Sequence, residues 1–301
     1  MTEVVMGIDG GGSGVRVVIA TPDLAICGQS EGPAANPSVI GTDAAAVTIQ
    51  AAMRAALDAA GLAADQIAAV GIGVAGAATT HSAGWLSQVV AAVMPQARIV
   101  SSTDYEIALV GALGRREGVL VLAGTGSLAY GVNAAGQSAL AGAWGYLLDD
   151  AGSGYWIGIQ ALQAVARAAD GRAPTTALTP ALLGALGLHG AQDLVPWLYR
   201  AAAPRTREIA RLAPLVLEAA EAGDPVAEGI VSRASAELAL AARTIIRRLD
   251  MDAPPIAFAG GLLTNDTLLS RRLCAALGLD AAPVPRYPPV IGAALLALLS
   301  R

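Results

Sequence analysis

A glycine-rich turn near the N-terminus is the first part of the sequence whose residues could do chemistry. It consists of Asp9 and the five residues after it, Gly10, Gly11, Gly12, Ser13 and Gly14. Glycines in such a turn let backbone N–H groups approach phosphate oxygens without obstruction by side chains. Asp9 ends an apolar stretch, and a carboxylate in that place suits a Mg²⁺ ion that keeps several of its waters. The turn therefore predicts phosphate contacts at residues 10–13 and magnesium at Asp9, with a plain hairpin turn as the alternative.

The kind of phosphate site is limited by what the sequence lacks. All 19 basic residues are arginine, so the chain contains no lysine. A Walker-type phosphate loop requires a lysine on the phosphates, and a pyridoxal or Schiff-base enzyme requires a lysine amine. The turn also joins two strand-like stretches, whereas a Rossmann fingerprint must open a helix. These classes are excluded, and positive charge near a phosphate must come from a metal ion, backbone dipoles or arginine.

Two further glycine sites occur later in the chain. The second turn lies between short strand-like stretches and consists of Gly124, Thr125, Gly126 and Ser127. It occupies the same place in its local pattern as the first turn, so we expect both turns to hold one phosphate chain. Gly260 and Gly261 join a strand to a helix, where an adenine or ribose could lie against the backbone. Simple packing of a strand against a helix explains this third site equally well.

Asp104 is the best candidate for a catalytic base. Phosphoryl transfer to an alcohol requires a carboxylate that orients and deprotonates the hydroxyl group. Asp104 follows an apolar strand at residues 98–101 and begins a predicted helix at residues 104–113. An ordinary helix N-cap is the alternative interpretation, because aspartate is favoured at that position.

Strand and helix signals occur in the same order twice along the chain. A three-stranded meander is predicted around each glycine turn, at residues 4–9, 15–20 and 25–30 and again at residues 119–123, 128–133 and 137–141. Helices are predicted at residues 43–60, 83–93, 104–113, 264–277 and 291–299, and residues 152–250 are almost entirely helical. The repeat favours two related α/β domains that face a shared cleft.

The chain length allows this division. With 301 residues, the chain can form two domains that each bury a core of their own. We expect the boundary near residues 114–118. The N-terminal domain would then comprise residues 1–114 and be joined by the last helix, 290–301. The C-terminal domain would comprise residues 115–289 and carry a helical insertion.

Charge and hydropathy limit the partners and the location. The net charge is −5 and the longest basic cluster is a pair such as Arg247 and Arg248, so nucleic acid is not an expected partner. No apolar run reaches the roughly 20 residues that span a bilayer, and the N-terminus lacks the basic region of a signal peptide. We expect a soluble cytoplasmic protein. Cys27 and Cys274 have no metal-type spacing, and we expect both to be buried thiols.

Several motifs occur in a characteristic order over nearly the whole chain. They are GIDGGGS at residues 7–13, STD at 102–104, LAGTGS at 122–127, GAWGYLL at 142–148, GSGYWIG at 152–158, AGG at 259–261 and PVIGAA at 289–294. In this respect the chain resembles the N-acetylglucosamine kinase branch of the BadF/BadG/BcrA/BcrD ATPase family. The resemblance implies two actin-like (ribonuclease H-like) domains, with ATP in the cleft between them and a hexosamine beside it.

The resemblance also implies roles for individual residues. Asp104 would be the catalytic base and Asp9 the Mg²⁺-associated aspartate, in agreement with the roles inferred from the residues themselves. The implied sugar contacts are Asn36, Asp104, Thr125, Trp144, Gly145 and Asp150. Trp144 on its own fits a core position or a sugar platform equally well. The leading hypothesis is a kinase that moves the γ-phosphate of ATP to the 6-hydroxyl of N-acetylglucosamine.

One segment departs from the family pattern. Where the family often has Gly-Asp-Glu-Gly-Ser, this chain has Asp149-Asp150-Ala151-Gly152-Ser153. The additional acid at Asp149 keeps a glucosamine kinase as an alternative, because the free amine of glucosamine is cationic. The sequence leaves open which hexosamine is used and whether the protein forms a homodimer.

An alternative of another class is the ATPase activator of a radical dehydratase. Such an activator binds an iron–sulfur cluster through cysteines near the domain boundary. Cys27 and Cys274 lie at opposite ends of the chain, in the first meander and a late helix. Their positions disfavour this alternative.

Overall fold

The computed structural model describes residues 3–77, 83–200 and 205–300. The chain divides into two compact units, each built around one sheet. The first unit comprises Met1–Gly118, Ala134–Gly136 and Pro285–Arg301, and the second comprises Val119–Asn133 and Gln137–Val284. Among the described residues, no helix is long and apolar enough to cross a membrane.

The strands form a five-stranded and a four-stranded sheet. The first contains β1 Val4–Gly10, β2 Val15–Ala20, β3 Ile26–Gly32, β4 Ile67–Val74 and β5 Arg98–Ser102, in the order β3-β2-β1-β4-β5. The second contains β6 Gly118–Ala123, β7 Ser127–Val132, β8 Ser138–Gly142 and β9 Ile256–Ala259, in the order β8-β7-β6-β9. In each sheet the third strand of the meander lies at the edge and the first strand lies inside. The predicted repeat of strand order is therefore confirmed.

The described helices follow in chain order. They are α1 Pro37–Ile40, α2 Thr42–Ala60, α3 Ala83–Ala91, α4 Asp104–Leu113, α5 Gly154–Ala169, α6 Leu178–Leu186, α7 Leu194–Tyr199, α8 Thr206–Ala210, α9 Ala213–Glu221, α10 Pro225–Arg248, α11 Gly261–Thr264, α12 Leu268–Leu277 and α13 Pro289–Leu299. Single 3₁₀ turns lie at Ala64–Gln66 and Ala191–Asp193. Most bounds agree with the sequence predictions within two residues.

One predicted helix is wrong in its extent. The structure divides residues 264–277 between α11 and α12. Thr267 begins the second helix, because its Oγ1 accepts the N–H of Ser270 at 3.1 Å while the Ser270 hydroxyl accepts the N–H of Thr267 at 3.0 Å. This reciprocal cap satisfies backbone donors that a continuous helix would satisfy internally, so a new helix starts here.

The cysteine prediction is half wrong. Cys274 is buried in α12, as expected, but Cys27 is exposed on the edge strand β3. Along β3 the pattern of burial is irregular, because an edge strand packs fewer neighbours than an inner one.

Helix α13 packs directly on the backbone of the first sheet. A Cβ atom at Gly7 of β1 would lie 2.2 Å from the carbonyl oxygen of Val290, and one at Gly71 of β4 would lie 1.9 Å from that of Ala293. Gly292 of α13 allows an equally close approach to α4, because a Cβ atom at position 292 would lie 2.0 Å from the carbonyl oxygen of Ile107. Glycine at these positions brings the helices to the parallel strands without intervening side chains.

In the second unit the helices enclose a separate apolar core. The 24-residue helix α10 lines this core with Val231, Leu238 and Ala242, which are almost fully buried. Phe258 of β9 and Ile157 of α5 belong to the same cluster. The core fixes the position of α5, whose first N–H, that of Gly154, donates to the carbonyl of Gly124 in the second glycine turn at 2.8 Å.

The glycine contacts predict a large effect for one added methyl group. We expect Gly71→Ala to lower the free energy of unfolding by about 3 kcal/mol or more, because backbone atoms of α13 occupy the space. Chemical denaturation with equal m-values measures the difference. Gly184→Ala in α6 is the matched control, because nothing lies within 4 Å of its Cβ position. The control should stabilise the protein by roughly 0.5–1 kcal/mol, and equal effects of the two changes would contradict the packing argument.

Candidate active site

The first unit brings the predicted catalytic base, Asp104, and the predicted magnesium ligand, Asp9, to one edge of its sheet. Strands β1, β4 and β5 run parallel, and Asp9, Gly73 and Ser102 are partners on one rung across them. Carboxyl ends of parallel strands meet at the same edge, where open α/β sheets bind their ligands. Asp104 lies two residues beyond Ser102, at the start of α4. Asp9 and Asp104, predicted separately, therefore lie close together.

Asp104 is the first residue of α4 and does not cap it. The N-cap is Thr103, whose side chain accepts the N–H of Glu106 at 3.2 Å. The N-cap interpretation of Asp104 is therefore wrong, and its carboxylate is not required to end the helix. Gly73 allows the turn to lie close over β4, because a Cβ at that position would be 2.6 Å from the carbonyl oxygen of Thr103.

Burial raises the pKa of both carboxyl groups. The pKa of Asp9 is raised to about 6, chiefly by burial, with the guanidinium of Arg16 lowering it and the charge of Asp104 adding a smaller increase. Burial likewise raises the pKa of Asp104, against the N–H groups of Tyr105 and of Asp104 itself. Groups that are shifted by burial and by a specific charge partner are typical of functional sites.

Arg16 is the basic residue beside this pair. It is the partner of Asp9 across β1 and β2 and of Glu31 across β2 and β3. Its Nη1 lies 4.0 Å from Oδ2 of Asp9, and its Nε lies 3.3 Å from Oε1 of Glu31. The side chain is 58% exposed, so both ion pairs are weak and the guanidinium retains donors for an anion.

The first glycine turn is closed by its own backbone. The N–H of Gly11 donates to the carbonyl of Gly14 at 2.8 Å, and the carbonyl of Gly11 accepts the N–H of Ala35 at 3.0 Å. Gly11 therefore stabilises the shape of the turn, because its N–H group already has a hydrogen-bond partner within it. The N–H of Ala75 donates to the carbonyl of Gly10 at 2.8 Å, which fixes the start of the turn against the end of β4.

Asn36 follows Ala35, which is hydrogen-bonded to this turn, and caps a helix. Its Oδ1 accepts the N–H of Ser38 at 2.9 Å and so caps the short helix α1. A Cβ at Gly76 would lie 2.3 Å from the same oxygen. The cap and this close approach hold the amide in place. The amide nitrogen is the part of the side chain that remains for a ligand.

The second glycine turn is joined to Asp150 in the second unit. Oδ1 of Asp150 accepts the N–H of Ser127 at 3.2 Å, and the Ser127 hydroxyl donates to the carbonyl of Ala151 at 2.9 Å. A Cβ at Gly126 would lie 3.0 Å from Oδ2 of Asp150. Burial raises the pKa of Asp150, as does the neighbouring charge of Asp149, while the Ser127 N–H opposes the shift. Ser127 is a predicted phosphate contact, and its N–H group positions Asp150, which is a predicted sugar contact.

The loop between β8 and α5 has an unusual backbone. Ala143 and Asp150 adopt positive φ values of 63° and 60°, as do several glycines around them. Such values strain a residue other than glycine and are often found at ligand sites. Trp144 and Gly145 lie on this loop, and Trp144 is 72% exposed. The interpretation of Trp144 as a core residue is therefore wrong.

Asp149 and Asp150 face different surroundings. Asp149 lines a cavity together with Ser127, Ala151 and Glu237 of α10. The lining of this cavity includes none of the predicted sugar contacts Thr125, Trp144, Gly145 and Asp150. Asp149 nevertheless lies close to two of those residues, because its N–H donates to the carbonyl of Gly145 at 2.9 Å and its charge raises the pKa of Asp150, so the alternative of a cationic amino sugar stays open.

The third glycine site is explained by packing. Gly260 has a φ of 83°, and a Cβ there would lie 2.2 Å from the carbonyl oxygen of Ala123 at the end of β6. Glycine is required here whether or not a nucleotide binds. Gly261 begins the short helix α11, and its place near the end of β6 is compatible with the predicted nucleotide contact.

Several residues that shape these sites were not predicted from the sequence. They are Arg16, Gly73, Gly76, Thr103 and Glu106. A signal existed for some of them. Arg16 is the first basic residue of the chain, and Thr103 with Glu106 forms the spacing of a capping box. The glycines at 73 and 76 gave no such signal, because close approach of two segments is a property of the tertiary structure.

Comparison with protein families settles the wider relationship. The pattern of the BadF/BadG/BcrA/BcrD ATPase family matches residues 6–297, almost the full length of the chain. The chain belongs to this ATPase family. The family implies that ATP is bound, in agreement with the prediction. The expected resemblance is thus confirmed.

The curated relatives are sugar kinases. An N-acetylmuramic acid/N-acetylglucosamine kinase of Clostridium acetobutylicum is 33% identical over 263 residues, which cover 87% of this chain and 86% of the relative. The glucosamine kinase GspK of Vibrio cholerae is 28% identical over 233 residues and 77% of each chain. Relatives of this kind support a phosphotransferase.

Solved structures confirm the fold. A Chromobacterium violaceum protein, provisionally assigned as an N-acetylglucosamine kinase, is 33% identical, with a TM-score of 0.77 over 98% of this chain and 99% of that one. The ROK hexokinase of Thermus thermophilus is 17% identical, with a TM-score of 0.55 over 99% and 98%. The predicted actin-like α/β fold is that of these sugar kinases.

The raised pKa of Asp9 predicts how stability depends on pH without ligand. Between the ordinary aspartate pKa of 3.8 and the folded value of about 6, the folded chain holds a proton that the unfolded chain has released. Stability from this group is therefore lost as pH rises through that range. Asp9→Asn should be more stable than the original protein by roughly 2–3 kcal/mol at pH 7, and by little below about pH 4.

Urea unfolding at pH 4, 5, 6 and 7 measures this difference. Asp252→Asn, a change at an exposed loop aspartate, is the control and should give no comparable trend. An Asp9→Asn difference that is the same at pH 4 and pH 7 would contradict the assignment of the shift to Asp9.

Proposed function

We propose that the protein is an ATP-dependent hexosamine kinase that phosphorylates the 6-hydroxyl of N-acetylglucosamine. The observation that carries this proposal is the pair of partly buried carboxylates, Asp9 and Asp104, at one edge of the first sheet. One carboxylate next to a glycine turn and a second at a helix start are the two acids that phosphoryl transfer to an alcohol requires.

Asp104 is the base in this proposal. Its carboxylate would accept the proton of the 6-hydroxyl as the oxygen attacks the γ-phosphate of ATP, and ADP would leave. Burial raises its pKa above the ordinary value of 3.8, which makes it a stronger base than a solvated aspartate. Because Asp104 is not needed as a cap, its oxygens remain available to orient the hydroxyl.

Asp9 would hold Mg²⁺. A magnesium ion at a phosphate site usually takes one or two carboxylates, with waters and phosphate oxygens as its other ligands. No group of three or more metal-ligating side chains occurs among residues 3–77, 83–200 and 205–300, so a site with few protein ligands is the one that fits. When bound, the ion would neutralise charge on the phosphates of ATP.

Arg16 would supply the positive charge that other kinases take from lysine. It lies beside Asp9 and close to the glycine turn, and its ion pairs are weak enough to exchange for a phosphate. The turns at Gly10, Gly11, Gly12 and Ser13 and at Gly124, Thr125, Gly126 and Ser127 would hold the phosphates, and Gly260 and Gly261 the nucleoside. Gly11, Gly124 and Ser127 would act through backbone shape, since their N–H groups already have partners.

Each unit carries candidate sugar contacts. In the first unit these are Asn36 and Asp104, and in the second they are Thr125, Trp144, Gly145 and Asp150. The exposed indole of Trp144 can cover a sugar face, and Asp150 can accept hydrogen bonds from hydroxyl groups. Glucosamine remains the second candidate because a relative that is 28% identical is a glucosamine kinase.

The sugar specificity is testable by coupled measurement of ADP release. The acceptors are N-acetylglucosamine, N-acetylmuramic acid, glucosamine, N-acetylmannosamine, glucose and water alone. We expect the highest kcat/KM for N-acetylglucosamine, with the product phosphorylated at the 6-hydroxyl by NMR. A higher value for glucosamine would select the second candidate. Equal ATP turnover with and without sugar would disprove a sugar kinase.

Replacement of Asp104 tests the base. We expect Asp104→Asn to lower kcat on the order of 10²–10⁴-fold, because the amide cannot accept the proton. Calorimetry should show that ADP still binds with its original affinity. Asp58→Asn, at the far end of α2, is a control that should retain full activity. Retained activity of Asp104→Asn would remove Asp104 from the mechanism.

A further inference from the structure

A hydrogen-bonded network stabilises the turn that carries Asp104. At its centre is Glu106, in the first turn of α4. The Ser102 hydroxyl donates to Oε2 of Glu106 at 2.7 Å, and Nη2 of Arg116 donates to Oε1 at 2.6 Å. The N–H of Glu106 donates to Oγ1 of Thr103 at 3.2 Å. Glu106 thus contacts both residues that precede Asp104 and also Arg116, which lies beyond the end of α4.

The ion pair in this network is better placed than the others of the first unit. The Glu106 side chain is 14% exposed, whereas the side chain of Glu31, which pairs with Arg16, is 77% exposed. Exposed ion pairs contribute little because water and salt screen them, whereas the pair of Glu106 and Arg116 is short and has a shielded carboxylate, with the Arg116 side chain 51% exposed. Both carboxylate oxygens of Glu106 have a partner, so Glu106 is not suited to act as a second base.

The network joins two segments that are separated by a full helix. Ser102 is the last residue of β5, and Arg116 lies beyond Leu113, where α4 ends. A helix of ten residues is about 15 Å long, so the chain must turn back along α4 for Arg116 to reach the first turn. The segment with Arg116 leads into β6. Glu106 therefore connects the turn before α4 to the segment that leaves the first unit.

We propose that Glu106 is a positioning residue for phosphoryl transfer. By holding Ser102 and Arg116 together, it fixes the Thr103–Asp104 turn and so the direction of the Asp104 carboxylate. This inference rests on the proposed role of Asp104 as the base. Misplacement of a catalytic group by about 1 Å can lower a rate on the order of 10²-fold, so the network matters for rate even without contact to a substrate.

The test compares Glu106→Gln with Ser102→Ala and Arg116→Gln. Glutamine keeps the size of the side chain but removes its charge, so the ion pair with Arg116 becomes a hydrogen bond to a neutral oxygen and the amide nitrogen can only donate to the Ser102 hydroxyl. We expect Glu106→Gln to lower kcat on the order of 10-fold while the Kd of ADP changes by less than about twofold. Ser102→Ala removes one hydrogen bond and should give a smaller loss. Arg116→Gln combined with Glu106→Gln should lose less than the product of the single effects.

Glu221→Gln is the matched control. Glu221 also forms an ion pair with an arginine, Arg271, but it lies at the end of α9 in the second unit. Its replacement should leave kcat unchanged. Activities are normalised to the folded fraction, measured by ADP binding.

Three results would overturn the inference. A Glu106→Gln variant that is less stable but has an unchanged kcat per binding site would show a structural role alone. Strictly additive losses in the double variant would show that the contacts are independent. An original protein that phosphorylates no sugar would disprove the proposed function itself. An active original protein whose Glu106→Gln variant retains full kcat would instead disprove only the positioning role of Glu106.

Discussion

The partial burial of two carboxylates where the parallel strands β1, β4 and β5 end is the constraint on which the first unit depends. Taking a charged carboxylate out of water is costly, and the cost grows when a second one lies nearby. Asp9 and Asp104 nevertheless lie together, and Asp104 raises the pKa of Asp9. The exposed guanidinium of Arg16 offsets part of this cost, because its charge lowers the pKa of Asp9. Such an arrangement weakens the ligand-free fold, and a cation with bound phosphates is the partner that would relieve it.

The sheet edge is held in place by contacts between backbones. Glycine at positions 7 and 71 lets α13 rest on β1 and β4, and glycine at position 73 lets the turn before α4 rest on β4. Each contact leaves no room for a side chain, so the helices cannot shift without a clash. An alanine- and glycine-rich composition therefore gives a rigid frame, although it offers few large side chains for packing.

Patterns in the sequence predicted the frame but not the details of the site. The repeated strand order and the bounds of α4 followed from local signals, because periodicity and turn residues determine them. The alternative interpretation of Asp104 as the N-cap was wrong, because Thr103, an equally good capping residue, is the cap. The exposure of Trp144 follows from the β8–α5 loop, where Ala143 and Asp150 adopt positive φ values. No hydrophobic pattern reports such values, and the resemblance alone placed Asn36 and Asp150.

Ala151 stands where the family that the chain resembles often has glutamate. Residue 151 is attached to the second glycine turn through its carbonyl oxygen, which accepts the hydroxyl of Ser127. That contact involves backbone atoms of residue 151, so it does not depend on a glutamate side chain. Ser127 also holds Asp150 through its N–H group. The replacement of glutamate by Ala151 therefore leaves the attachment of Asp150 intact, and its consequences are limited to what a glutamate side chain would have contacted.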